Sequence, residues 1–497
     1  MSNDQQEDQS QVLRQRLEKA WAMQEEGVNL YPNTFRPRHT VAELRARFDG
    51  SSAEELERVE DRFIIAGRMM ARRDYGKSTF FDIKDHSGRI QAYIRKNDLP
   101  ADQFEFFKKL DLGDIIGMEG RLFRTRTGEL TVMVVSFDLV TKSMLPLPEK
   151  HHDINVELRY RQRYLDLIMN DRVQEVFLKR TRIVSFLRRF LEAKGFIEVE
   201  TPMMQLIPGG ATARPFETHH LALDMKLYLR IAPELYLKRL LVGGFGRVFE
   251  LNRNFRNEGI STQHNPEFTM LEFYQCYATY EDLMDLTEEM FEAVAAEVNG
   301  SETLAYQGQE VSLARPWARM RFLDSLAQVG GVPAGVLDDR DQALAYCRDL
   351  GADMPAHEKQ GKILAKIFDL AVEPKLIDPT FITHYPTDIS PLARRCESEP
   401  NLTDRFELFA AGREMANGFS ELNDPMDQRE RFLAQVAERE AGDDEAQFMD
   451  EDYVRALKYG MPPAAGEGVG IDRLVMLLCD VATIKDVILF PHLRPER

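Results

Sequence analysis

Cysteine is scarce in this chain. Cys276, Cys347, Cys396 and Cys479 are the only four in 497 residues, with no CxxC and no Cys/His spacing of the metal-binding kind. That argues against a disulfide framework and against a structural zinc site, so no zinc is expected; scattered thiols fit a reducing cytoplasm. Long apolar runs are missing too. Nothing approaches the roughly 18 apolar residues of a membrane span. The N-terminus, MSNDQQEDQSQ, lacks the apolar stretch of a signal peptide. A cytoplasmic protein with no membrane partner is the expectation. Repeats and low-complexity tracts are absent. Positive charge is in deficit: 64 Lys and Arg against 82 Asp and Glu leave −18, which disfavours nucleic acid over most of the surface.

What is present is enough for a large enzyme. At 43% apolar, 497 residues can build two or more domains, each with its own core. The charge deficit is uneven. Between Arg68 and Lys96 stand eight basic residues (Arg68, Arg72, Arg73, Lys77, Lys84, Arg89, Arg95, Lys96) against Asp74, Asp82 and Asp85. The same region reads as short strands, at 62–67, 78–84, 89–94, 114–123 and 129–139, which suggests a small closed barrel. Alternation puts Phe81 and Ile83 on one face and Phe80 on the polar other; Gln91 and Tyr93 lie opposite Ile90, Ala92 and Ile94. An aromatic on a polar, basic face suits stacking of unpaired bases.

Before the barrel, Leu13, Leu17, Ala20 and Trp21 recur at helical spacing, so an N-terminal helix is expected within an extension over 1–60. After it, Leu145-Pro146-Leu147-Pro148 breaks regular structure. The division read from this is a barrel over 61–143, a linker over 144–156 and a large domain over 157–497. The large domain opens with an amphipathic helix over 172–194, closed by Gly195.

Three segments of the large domain decide the reading. They are Gly195-Phe196-Ile197-Glu198-Val199-Glu200-Thr201-Pro202; Phe255-Arg256-Asn257-Glu258 with His264 and Phe268 downstream, inside about 250–276; and Gly466-Glu467-Gly468-Val469-Gly470-Ile471-Asp472-Arg473. In this order they resemble the three signature motifs of class II aminoacyl-tRNA synthetases, and Asn417-Gly418-Phe419-Ser420-Glu421-Leu422-Asn423-Asp424 is close to the bacterial-type lysyl branch. The resemblance covers the chain from about residue 10 to its end. It implies an α+β protein, with an N-terminal OB-fold barrel followed by a catalytic domain on an antiparallel sheet flanked by helices. It also implies ATP, L-lysine and lysine tRNA as substrates and Mg2+ as cofactor.

The chemistry accounts for the residue types. The α-carboxylate of an amino acid is already ionised at neutral pH, so its attack on the α-phosphorus of ATP needs no general base. Catalysis becomes positioning and charge neutralisation. By resemblance, Arg256 neutralises carboxylate and α-phosphate together. Arg473 holds the γ-phosphate and covers the adenine, with Phe268 beneath it. Glu258, His264, Asn265 and Gly470 complete the ATP site, and Glu407 and Glu414 are the Mg2+ carboxylates. Strand parity separates these last two, so a turn near Ala411-Gly412 must intervene. Alternation puts Glu250, Asn252, Asn254, Arg256 and Glu258 on one strand face, and Phe268, Met270, Glu272 and Tyr274 on the site face of the next.

The resemblance also assigns the lysine side chain to Glu272, Tyr274, Asn417, Phe419 and Glu421, and its α-amino group to Glu234 and the carbonyl of Gly210, with Arg256 on the carboxylate. Two dry carboxylates repel unless a cation lies between them, which disfavours the alternative of an aspartyl or asparaginyl enzyme. A synthetase retained only as a nucleic-acid-binding module should have lost Arg256, Arg473 or the metal carboxylates. On the barrel, Phe80, Gln91 and Glu129 match the anticodon contacts of the lysyl enzymes, with Arg72 and Arg73 on the backbone. Pro202 ends the first motif, whose strand pairs two subunits of a homodimer in this class. The Leu304–Pro391 stretch, inside an insertion over about 300–391, reads as mostly helical. Glu467 departs from the usual apolar residue at a spacer position. His151-His152 and His219-His220 lack a convergent third ligand and read as ordinary polar residues.

Overall fold

The computed structural model describes residues 3–148 and 155–495, so His151 and His152 lie outside the described residues. Contacts divide the chain into two compact units, Met1–Ile154 and Asn155–Arg497.

In the first unit five strands close into a barrel. They are β1 (Phe63–Tyr75), β2 (Ser78–Lys84), β3 (Arg89–Arg95), β4 (Ile115–Arg124) and β5 (Leu130–Thr141), joined in the order β1-β2-β3-β5-β4, with strictly alternating burial along β2 and β3. Strand β1 runs well past the expected end at residue 67, because a bulge between Met69 and Ala71 lets it bend and keep pairing with β2. A helix at Ala101–Lys109, not foreseen from the sequence, packs Phe107 against Phe81 and Phe137 at 5.0 and 5.4 Å between ring centres. The N-terminal helix spans Asn3–Glu25. It buries Ala20 and Met23 and leaves Trp21 58% exposed, so its inward stripe differs from the one expected. Two short helices, Val41–Phe48 and Ala53–Glu57, each begin with a capping box, at Thr40 and Ser52.

The second unit is built on an eight-stranded sheet, ordered β14-β15-β16-β17-β18-β11-β10-β6. Its members are β6 (Ile197–Glu198), β10 (Arg247–Phe255), β11 (Glu267–Cys276), β14 (Ala318–Arg321), β15 (Thr380–Thr383), β16 (Arg405–Ala410), β17 (Arg413–Ser420) and β18 (Ala464–Gly470). The expected antiparallel sheet is in fact mixed. Its middle is antiparallel, while β14 joins β15 and β6 joins β10 in parallel at the two edges. A small sheet of β7 (Met204–Gln205), β8 (Glu217–His220) and β9 (Met225–Leu229) stands apart, as does the hairpin β12 (Thr303–Tyr306) with β13 (Gln309–Ser312). The stretch expected to be mostly helical thus also supplies two sheet strands and a hairpin, whose four-residue strands are too short to show a period in the sequence.

The two sheet faces differ in kind. Behind, Phe249, Leu271, Phe273 and Val469 pack on the helices Asp171–Ala193, Tyr280–Asn299 and Ile471–Cys479 through Leu187, Phe291 and Leu474. In front, the helix Glu234–Val242 packs Leu237 and Leu241 against Tyr274 and the helices Pro425–Glu440 and Glu451–Lys458. Nine consecutive β10–β11 pairs, Arg247 with Gln275 through Phe255 with Glu267, fix which residues face forward.

One buried charge cluster holds the barrel's end. The Lys142 ammonium, with no exposed side-chain surface, reaches Asp111 at 2.6 Å and Asp114 at 2.9 Å. Lys142→Met leaves Asp114 buried without a cation and should destabilise the barrel by about 3–5 kcal/mol. Hydrogen exchange of the β4 and β5 amides should accelerate accordingly; unchanged protection would sink this account.

Candidate active site

A cavity of about 410 Å³ opens on the front of the sheet. Residues from β11, β17 and β18, the β7–β8 and β10–β11 loops and the starts of the helices Glu234–Val242 and Ile471–Cys479 line it, and among them are Gly210, Glu234, Arg256, Glu258, His264, Asn265, Phe268, Glu272, Tyr274, Glu414, Asn417, Phe419, Gly470 and Arg473. Glu407 and Glu421 are not on its wall in the same sense: Glu407 is held behind it, and Glu421 reaches its inner end through neighbours described below.

The inner end is acidic and dry. Glu234 begins its helix directly after Pro233. Gly210 (φ +88°) permits the approach, since a Cβ there would stand 2.7 Å from the Glu234 Cβ. One turn further on, the fully buried Lys238 donates to Glu234 at 2.5 Å and contacts Glu421. Its ammonium lies 5.1 Å from the centre of the Phe419 ring. Neither Glu421 oxygen has a hydrogen bond of ordinary geometry. Gly466 leaves the space for this: a Cβ there would fall 2.2 Å from the Tyr274 ring and 2.4 Å from Glu421 Oε1. The glycines of the third motif thus lie in strand β18, and at 466 the absent side chain makes room for protein groups rather than for a nucleotide backbone contact. Glu272 accepts only the Tyr274 hydroxyl, at 3.2 Å, among the described side chains. Burial first, then the charge of Glu234, pushes Glu272 up to about 8. Burial likewise raises Glu421 and Glu234, opposed by Lys238.

The outer end is cationic. Strand β10 stops at Phe255, so Arg256 and Glu258 belong to the loop beyond it and not to the strand face expected for them. The buried front of β10 carries other groups: Glu250 pairs with Arg230 at 2.6 Å. Arg256 crosses the Phe268 ring at 5.0 Å, and its Nε has no partner. Burial lowers the Arg256 pKa, with Glu258, Glu414 and Glu272 opposing. Arg473, in the first turn of its helix, donates to the carbonyl of Glu414 at 2.7 Å and to its carboxylate at 3.2 Å. His264 is held below its usual pKa by burial and then by Arg473, so it is neutral at pH 7. The Asn265 side chain donates to the Glu267 carbonyl at 2.6 Å and accepts from the His492 amide at 3.2 Å.

The turn required between Glu407 and Glu414 is present: Ala411 and Gly412 both take positive φ, and a bulge between Leu408 and Phe409 shifts the register of β16 on β17. The two carboxylates lie within electrostatic reach of each other, Glu414 helping to raise Glu407. Glu407 binds Arg405 at 2.6 Å, the Tyr385 hydroxyl at 2.9 Å and Asn417 at 3.2 Å. Burial, and then Glu414 against the pull of Arg405, leaves Glu407 at about 7. No three His, Cys, Asp or Glu side chains form a metal cluster among the described residues. Oxygen donors that repel each other suit a hard cation, and of the pair Glu414 alone faces the cavity.

On the barrel, Phe80 lies 4.5 Å from Tyr93 and 6.1 Å from Tyr75, an aromatic run on the outer face. Gln91 accepts from Thr131 at 3.0 Å, and Glu129, just before β5, meets Arg45 at 3.4 Å. Arg73 is half-exposed near Asp82. Arg72 is different: it turns inward, donating to the carbonyls of Phe107 and Leu110 and crossing the Phe107 ring at 5.0 Å. The basic segment is also less positive in space than along the chain, because Asp98 and Glu105 pair with Arg95 and Lys96.

In the first motif the strand is shorter than expected, only Ile197–Glu198, because it has one neighbour. It is the sheet's edge, with Ile197 50% exposed; Pro202 follows it. His219 contacts Asp224 on an exposed hairpin, with no further ligand.

Three important groups escaped the sequence reading. Lys238 puts a protein cation beside Glu234 and Glu421, and its i,i+4 spacing from Glu234 was a usable signal. Arg405 braces Glu407 and Asn417. Glu467 is no mere spacer: it is buried on the back of β18, where both its oxygens accept the Thr287 hydroxyl, at 2.7 and 2.8 Å.

Comparison with known proteins fits this architecture. The model of class II tRNA synthetases (D, K and N) matches residues 155–494, and that of the OB-fold nucleic-acid-binding domain matches 63–140. The chain belongs to the class II tRNA synthetases of that group. Its full-length relatives include lysine–tRNA ligases of Thioalkalivibrio sulfidiphilus (56% identical, covering 99% of both chains) and Pelotomaculum thermopropionicum (54%, covering 99% of this chain and 96% of that one). That of Carboxydothermus hydrogenoformans is 55% identical, over 98% of this chain and 99% of its own.

Burial pushes Glu467 up to about 8, with only Thr287 opposing. The fold therefore holds a proton that the unfolded chain loses near the ordinary glutamate value of 4.5. Stability should fall as pH rises between those values, by at most about 1.4 kcal/mol per unit. Glu467→Gln should gain on the parent protein across that window and hold a constant lead above it. Melting curves from pH 5 to 9 check this; a lead independent of pH would remove the assignment.

Proposed function

We propose that the chain is an ATP-dependent ligase that activates L-lysine as lysyl-adenylate and transfers it to lysine tRNA. The carrying observation is the inner end of the cavity, where the Lys238 ammonium pairs with Glu234 and Glu421 while Glu272 accepts only the Tyr274 hydroxyl among the described side chains. Glu272, raised to about 8, is mostly neutral before a ligand arrives. Once a cationic ligand ionises it, three carboxylates face one resident ammonium and two charges are left for the ligand to meet. Lysine brings an α-ammonium for Glu234 and the Gly210 carbonyl, and an ε-ammonium for Glu272, Glu421 and the Tyr274 oxygen. Asn417 and Phe419 wall its stem. An aspartate or asparagine side chain supplies no second cation, which disfavours those substrates even with Lys238 present.

The free Nε of Arg256, between the acidic end and the phosphate end, supports its role on the α-carboxylate and α-phosphate together. ATP then lies along Glu258, His264, Asn265 and Gly470, with Arg473 on the γ-phosphate. Phe268 takes the adenine once Arg256 leaves its face. Mg2+ held by Glu414 and Glu407 would neutralise phosphate charge. Because the attacking carboxylate is already ionised, the protein's part is to align and neutralise.

The barrel binds the tRNA anticodon by stacking on Phe80, with Gln91 and Glu129 reading base edges and Arg73 on the backbone; Arg72 supports the barrel instead. The exposed edge at Ile197, leading to Pro202, supports a homodimer through the first motif. Four unpaired cysteines suit the cytoplasm.

Lysine alone among the standard amino acids should support ATP–pyrophosphate exchange; robust exchange with aspartate would refute the substrate assignment. Arg256→Ala should abolish both exchange and charging. Phe80→Ala should leave exchange intact and lower charging by about ten- to hundredfold, the value of one stacked base. Loss of tRNA-independent exchange in that variant would break the division of labour.

A further inference from the structure

Lys238 has no part in the reaction as described, yet its charge is wholly enclosed next to residues of the cavity's inner end. Its side chain has no exposed surface, and it donates to Glu234 and contacts Glu421, itself wholly enclosed. Of the three arginines that line the cavity, Arg473 is held by Glu414, Arg405 by Glu407 at 2.6 Å, and Arg256 lies over the Phe268 ring. Among the described residues Lys238 is the cation in direct contact with Glu234 and Glu421, Arg405 acting on Glu234 only through its field, and it stands between two carboxylates that would otherwise repel.

We propose that Lys238 is a specificity-determining positioning residue: its shared ammonium sets the pocket's charge deficit at two and so makes a ligand with two ammonium groups the one that fits. The inference rests on the lysine-pocket reading above. Without Lys238 the three carboxylates would need three cations, and lysine brings two. With Lys238 the count closes, and Glu234 and Glu421 are held in place by one group before any ligand arrives, so less ordering is left to binding. A lysine that merely filled space between helices would carry no such charge dependence.

A double-mutant cycle on the full-length enzyme separates these roles, read as lysine and ATP KM in pyrophosphate exchange. Glu421→Gln alone should raise the lysine KM about ten- to hundredfold and leave that for ATP nearly unchanged, because one cation is now in excess. Lys238→Met alone should also raise the lysine KM, by a similar factor. Combined with Glu421→Gln, however, Lys238→Met should lower the lysine KM below that of the single Glu421→Gln enzyme, because two carboxylates again face two ligand ammonium groups. That reversal of sign is the signature of a charge quota. Should Lys238→Met alone fail to fold, the comparison of E421Q with E421Q/K238M still decides. A lysine KM raised by Lys238→Met in both backgrounds would overturn the proposal and leave Lys238 a packing residue. An unchanged lysine KM in Glu421→Gln would instead count against the lysine pocket itself.

Discussion

The large unit depends on keeping carboxylates out of water. Glu234, Glu272, Glu421 and Glu467 are buried around one sheet, and Glu407 is enclosed beside it. Each such charge costs several kcal/mol unless it is paired, hydrogen-bonded or protonated. The surroundings use all three remedies: Lys238 for Glu234 and Glu421, Arg405 and Tyr385 for Glu407, and a raised pKa for Glu272 and Glu467. The apolar back of the sheet, packed on three helices, supplies the stability that tolerates an acidic front.

The same polarity orders the cavity. Acid gathers at one end and guanidinium groups at the other, so a ligand that is cationic at one end and polyanionic at the other is drawn in with its orientation set. Arg256 sits where the two regions meet. Lowered by burial and faced by Glu258, Glu414 and Glu272, it is short of hydrogen-bond acceptors and suited to take two anionic groups at once.

Much of this was legible in the sequence, and the reasons differ by element. The barrel strands declared themselves by alternation, and Phe80 stood out as an aromatic on the wrong face for a core. The helix Asp171–Ala193 followed from its apolar stripe. The turn at Ala411-Gly412 was forced by the parity of Glu407 and Glu414. What stayed hidden depends on long-range pairing. The parallel edges of the sheet and the four-residue strands β14 and β15 carry too few residues to show a period. Arg72 faces inward only because a helix from Ala101 supplies carbonyls to it. Lys238 looked like one basic residue among many until the fold set it beside Glu421, far along the chain. Glu467 read as a spacer because strand parity alone does not say that a helix covers the back.

The pairing of β10 with β11 has a consequence for how this chain can change over generations. Phe268, Met270, Glu272 and Tyr274 belong to one uninterrupted strand, so the nucleotide end and the amino-acid end share a single register. Inserting or deleting one residue in β11 would send every later side chain to the back of the sheet and dismantle both ends together. The loop at 256–266 lies outside that constraint and can lengthen without disturbing the pairs. Length variation among descendants should therefore collect in the loop, while the strand admits replacement of residues but not a change in their number.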